Sequence, residues 1–175
     1  MSKCTAFAFP VLAAFESDHG KTGSDLVFHV RPEKVVTAAR DMAAKGYHIE
    51  DVCGLDMEEG FEVVYHFAHF DQAGRITIRA VIPHDNPKIP TISHIYQGAN
   101  WHERETHDFY GIEFTDHPNM TPLLLAEDAD CHPLIKEDKK RKPASELFVE
   151  HMLAPEPEPA EEAGEAEEPA TSEGA

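Results

Sequence analysis

Between residues 24 and 82 the apolar and polar positions mark five elements in turn. Leu26-Val27-Phe28-His29-Val30 reads as a strand. Pro32 then sits at a helix start, where its missing N–H costs nothing. Val35, Val36, Ala39, Met42 and Ala43 share one face of a helix over 33–45 that Gly46 ends. A second strand is predicted over 48–55, with Met57-Glu58-Glu59-Gly60 as a hairpin turn. In 61–70, Phe61, Val63, Tyr65, Phe67 and His69 point one way and Glu62, Val64, His66 and Ala68 the other, a third strand. A turn at 71–74 closes on Gly74 and leads to a fourth strand over 75–82, where Ile76, Ile78 and Ala80 alternate with Thr77, Arg79 and Val81.

Pro83, Pro87 and Pro90 stiffen the next loop against pairing. A short helix over 91–96, a longer one after Gly98 and a short strand over 112–115 complete a β-α-β-β-β-α-β order. That order fits a two-layer α+β sandwich with helices on one face. Beyond His117 the pattern loses its period and predicts an extended arm carrying Met120, Leu123, Leu124 and Leu125. Such an arm covers either the domain's own edge or a partner. From Pro155 onward Glu, Ala, Pro and Gly dominate, too poor in apolar side chains to offset ordering entropy, so disorder is predicted. The sequence thus divides into an N-terminal arm (1–23), a core (24–117), an extended arm (118–154) and an acidic tail (155–175).

The densest chemistry lies between Ala99 and Lys136. Asn100 is a candidate N-cap, with Glu103 and Glu105 in the first turn and Gly111 as the stop. At helical spacing Trp101, Phe109 and Ile112 would bury one stripe, and Arg104 and Asp108, four apart, can pair. On physics alone this is a capped amphipathic helix with one ordinary ion pair.

Charge narrows the partners. The formal net charge is −18, and the eight glutamates from Pro155 onward leave −10 for the rest. An acidic body offers no field for polynucleotide phosphates. No apolar run reaches the length of a bilayer span. The run from Ala6 to Phe15 is short and broken by Pro10, so it reads as an apolar arm or helix laid on the body or a partner rather than a leader. Cys4, Cys53 and Cys131 form no C-x-x-C pair and cannot build a four-thiolate cluster, which points to free thiols in a reducing compartment. The sequence has no nucleophile elbow, phosphate loop or dinucleotide fingerprint. His94, His102, His107 and His117 lie close in sequence, but the i,i+5 spacing of His102 and His107 splays two rings by about 140° on a helix, poor for a shared zinc. No catalytic, cofactor-binding or metal-ligating residue is assigned.

One resemblance goes further. Glu103, Arg104, Glu105, Asp108, Phe109, Tyr110 and Gly111, followed by His117-Pro118, Leu123-Leu124-Leu125 and His132-Pro133, resemble the signature of the 30 kDa subunit of respiratory complex I, the C-type subunit of bacterial NADH:quinone oxidoreductases. The segment Ile89-Pro90-Thr91-Ile92-Ser93 falls on the same pattern. The module is also similar to small subunits of energy-converting nickel–iron hydrogenases. Two departures stand out: Thr121-Pro122 replaces a usual basic pair, and Ile135-Lys136-Glu137-Asp138 replaces a basic–aromatic ending. The first favours the hydrogenase branch.

The resemblance implies a mixed five-stranded sheet backed by two helices. It also implies a cofactor-free subunit, peripheral on the cytoplasmic face of the inner membrane. Its partners would be a large catalytic (49 kDa-like) subunit, an iron–sulfur small subunit and a ferredoxin-like subunit. They would carry iron–sulfur clusters and nickel–iron, or flavin and quinone. Glu103, Arg104, Glu105 and Asp108 would form a charged knot that fixes the motif helix and its partner contacts, Trp101 and the other motif residues would lie at the subunit interface, and Leu123–Leu125 would wrap the large subunit. Two readings stay open beside the hydrogenase one: the C-type subunit of a proton-pumping NADH:quinone oxidoreductase, and a stand-alone metal-dependent hydrolase built on the histidines.

Overall fold

The computed structural model describes residues 7–147; the acidic tail and the last residues of the extended arm lie outside them. The fold is α+β around a mixed five-stranded sheet. Strand β1 (Ala13–Glu16) is followed by a single helical turn, α1 (His19–Thr22), and by β2 (Leu26–His29). A 3-10 turn at Pro32–Lys34 leads into α2 (Val35–Ala44). Then come β3 (His48–Met57), β4 (Gly60–Ala68) and β5 (Arg75–Ile82), and later β6 (Lys88–Pro90), α3 (Ala99–Tyr110), β7 (Glu113–Thr115) and α4 (Ala144–Leu147). The sheet order is β1-β2-β5-β4-β3, with β2–β5 parallel and the other pairs antiparallel.

The alternation that predicts β4 is what builds the core. Phe61, Val63, Tyr65 and Phe67 are buried on one face, in one cluster with Phe28, Ile76, Ile78, Ala80 and Ile82 of neighbouring strands. Val35, Ala38, Ala39 and Met42 of α2 complete the same cluster, as the period of 3.6 requires. Helix α3 packs at the β3 end. Its close approach depends on Gly54, where a Cβ would stand 2.7 Å from the Tyr110 ring and 3.0 Å from Thr106.

Three expectations are corrected. The fifth strand of the main sheet is β1, from the segment expected to be an arm or helix; its partner is β2, in the register Ala14 with Phe28. Upstream of it, Phe7 and Phe9 pack edge-on against Phe28, with ring centroids 5.2 and 5.3 Å away. The strand expected over 112–115 does not join the main sheet; as β7 it pairs in parallel with β6, so the proline loop does carry a short ladder. Residues 91–96 form a turn, not a helix: the Ile95 and Tyr96 N–H groups both close on the Ile92 carbonyl, and the Glu103 carboxylate takes the Ile92 N–H.

Candidate functional site

Helix α3 begins one residue before the expected cap. Gly98 holds the N-cap position without a side-chain bond, so Asn100 lies inside the helix. Gly111 ends it in the left-handed conformation, φ 70°, as the sequence predicts. The buried face is the reverse of the expected one. Trp101 is 68% exposed and Phe109 half-buried, whereas Ala99, Glu103, Thr106 and Asp108 are buried; only Ile112 of the expected stripe lies in the core.

The buried acids and Arg104 do not pair with one another. Each binds backbone. Glu103 accepts the Ile92 N–H at 2.8 Å and the Thr91 hydroxyl, so the two halves of the motif, 89–93 and the helix, meet at this carboxylate. Burial, against the bonds from Thr91 and Ile92, pushes the Glu103 carboxyl up to about 7. His117 Nε2 stands 3.8 Å away with its side chain 1% exposed. Its ring donates to the Asn100 carbonyl at 3.3 Å and accepts the Asn119 N–H at 3.1 Å, a neutral tautomer that burial favours by lowering its pKa.

One turn along, Arg104 donates to the Thr121 and Pro122 carbonyls, both at 2.8 Å. Asp108 Oδ2 accepts three successive N–H groups, from Leu123 and Leu124 at 2.8 Å and Leu125 at 3.2 Å. Burial raises this carboxyl, but the three bonds outweigh it and hold it below the usual range. The predicted Arg104–Asp108 pair is thus replaced by a clamp. A cation takes the carbonyls and an anion takes the amides of one strand of backbone lying along the helix. His132 Nδ1 donates to the Asp108 carbonyl at 2.8 Å, and Leu134 N–H to the Phe109 carbonyl at 3.1 Å.

The arm therefore follows α3 from end to end and then reaches the sheet. There Asp56, fully buried, accepts from His84 Nε2 at 2.7 Å, Lys136 N at 2.7 Å and Arg141 Nε at 2.8 Å. The Glu58 N–H donates to the Lys142 carbonyl, and the Glu59 carboxylate accepts from Ala144 N. Asp56, His84 and Arg141 carry no motif signal; their 28- and 85-residue separations hide them from any local pattern.

Two large apolar side chains remain outward. Trp101 and Leu124, the latter 59% exposed, border a groove with Gln97, Gly98, His102, Glu105 and Leu123. Tyr110 turns inward to Phe61, and Pro118 and Pro133 are exposed. His94 and His107 bond the Asp116 and Ile112 carbonyls, so the four clustered histidines do not converge. Gly111→Ala combines left-handed strain with a Cβ 2.9 Å from the His132 ring. It should cost about 1–2 kcal/mol and free the arm near His132, read by thermal melting and limited proteolysis; unchanged stability would show that the ring moves aside freely.

The family described as "Respiratory-chain NADH dehydrogenase, 30 Kd subunit" matches residues 28–144. The C subunit of NADH-quinone oxidoreductase from Roseiflexus castenholzii is 42% identical over 120 residues, 65% of this chain and 69% of that one. The C subunit of F(420)H(2) dehydrogenase from Methanosarcina mazei is 40% identical over 83 residues, 46% of this chain and 52% of its own. A solved trypsin-resistant fragment of Nqo5 superposes with a TM-score of 0.54 at 26% identity, covering 61% of this chain and 88% of the fragment.

Proposed function

The chain belongs to the respiratory-chain NADH dehydrogenase 30 kDa subunit family, and from that premise we propose that it is the connecting subunit of a membrane-associated, complex I-like oxidoreductase, with no catalytic centre of its own. The observation that carries this reading is the division of labour on α3. Glu103, Arg104 and Asp108 are spent on the protein's own backbone, while Trp101 and Leu124 stand outward on one groove. An exposed tryptophan over a groove is the anchor type that dominates interfaces. The partners are the large catalytic (49 kDa-like) subunit, the iron–sulfur small subunit and a ferredoxin-like subunit, and the clusters, flavin and quinone belong to them. Its place is peripheral, on the cytoplasmic face of the membrane. Among the described residues no helix is long and apolar enough to cross a bilayer.

Relatives named for NADH–quinone and F(420)H(2) oxidation favour the dehydrogenase branch. The energy-converting nickel–iron hydrogenase is the second reading, and it rests on Thr121-Pro122. That signal is weakened by the clamp, because Arg104 takes the two carbonyls and reads neither side chain.

A tagged form recovered from gently solubilised membranes should bring down a flavin- and NADH-binding module with quinone-type membrane subunits. A nickel-bearing large subunit would move it to the hydrogenase branch, and recovery alone would overturn the connecting role. Trp101→Ala should leave the melting temperature unchanged yet cost about 2 kcal/mol in assembly. Arg104→Ala should weaken assembly by releasing the arm. Intact complex at wild-type yield from both variants would refute the assigned surface.

A further inference from the structure

A separate cluster lies where β3, β4 and α3 meet. Asp51 and Cys53 are two apart on β3 and so share a face; His66 of β4 stands directly opposite Asp51. One carboxylate oxygen, Sγ and one ring nitrogen of these residues all lie within 4.8 Å of one another. His66 Nδ1 is 3.7 Å from Asp51 Oδ2, and His102 Nδ1 of α3 is 3.3 Å from the other oxygen, Oδ1. The β3 register shifts between Ile49 and Asp51, and this irregularity immediately precedes Asp51.

We propose that Asp51, Cys53 and His66 form a binding site for a single zinc-type divalent ion, with His102 beside the fourth position. Tetrahedral zinc with bonds of about 2.0–2.3 Å sets its ligand atoms roughly 3.3–3.8 Å apart, so these groups need close by only about 1 Å. One thiolate, one carboxylate and neutral imidazoles are a borderline set that suits zinc over calcium or magnesium. The ion's two positive charges would be balanced by Asp51 and the Cys53 thiolate. A simple ion pair explains less. At 3.7 Å the His66 ring and the Asp51 carboxylate are beyond a hydrogen bond. On binding, the S–H bond breaks, an S–metal bond forms and the proton leaves to solvent, so affinity rises with pH. The sequence hides this site, because its ligands come from two strands and a helix rather than one motif. It is independent of which branch the complex belongs to.

The test uses the full-length protein and cobalt(II) as the spectroscopic stand-in. One equivalent should give a thiolate-to-cobalt charge-transfer band that zinc(II) then displaces. Cys53→Ser should abolish the band, His66→Gln should weaken binding about tenfold or more, and Cys131→Ser should change neither. Zinc should raise the melting midpoint of the wild type and of Cys131→Ser but not of Asp51→Asn, which reports on the site even if another variant folds poorly. No stoichiometric band in the wild type, or a band that survives Cys53→Ser, would overturn the proposal.

Discussion

Asp56→Ala is expected to lower the unfolding free energy by about 3 kcal/mol, a fall of roughly 10 °C in melting temperature. The carboxylate is fully buried and gathers donors from three parts of the protein: His84, the Lys136 N–H and Arg141. Removing it strands all three, and the Arg141 side chain is only 15% exposed. Losing a charged partner costs more than the pair contributes, because the remaining polar groups stay desolvated. Arg141→Ala should cost less, since Lys136 and His84 still satisfy Asp56. The pH dependence has a definite sign. Burial raises the Asp56 carboxyl, but bonds from Lys136, His84 and Arg141 outweigh it and hold it below its ordinary 3.8. Its contribution is therefore complete above that value and lost as pH falls through the lower, folded one. Melting curves, with proteolysis at 118–136, check both parts. A variant with wild-type stability and a protected arm would show that Asp56 does not anchor it.

Glu103→Gln is expected to act in the opposite direction. The folded carboxyl titrates at about 7 against an ordinary 4.5, so the native state holds this proton more tightly than the unfolded state does. Stability from Glu103 is full below 4.5 and is lost as pH rises to about 7, by roughly 3 kcal/mol. Glutamine keeps an oxygen for the Ile92 N–H and adds donors toward Thr91, without the charge. The variant should match the wild type in mild acid and exceed it above about pH 7. Denaturant unfolding at several pH values, taken as the difference between the two proteins, isolates this group from His117, Asp56 and Asp108. A difference that does not change with pH would mean that Glu103 ionises freely where it lies.

The sequence made the sheet legible wherever a strand alternates over eight or more residues, as in β4 and β5. It hid β1, because Ala13-Ala14-Phe15-Glu16 has helix propensity and becomes a strand only by pairing with β2. The 91–96 segment stops at one turn on the Ile92 carbonyl, and Glu103 binds its Ile92 N–H from a helix no local pattern connects to it. Within the motif, the residues that matter were visible but their bonds were not. Helical spacing put Arg104 and Asp108 within reach of each other, and nothing local announces that residues 121–125 arrive to claim both. The same blindness placed Trp101 inside. A helix that buries Glu103 and Asp108 breaks the apolar-inward rule, and breaches of that kind concentrate where a protein has work beyond its own packing.

Every group that receives the arm precedes it in sequence. Asp56 meets Lys136 across 80 residues and Arg141 across 85, while Arg104 and Asp108 meet theirs across 17 and 15. During synthesis the sheet and α3 are therefore made before the arm residues that ligate Asp56 and Asp108. The arm is the part of the chain that completes both α3 and Asp56, and neither is fully bonded without it.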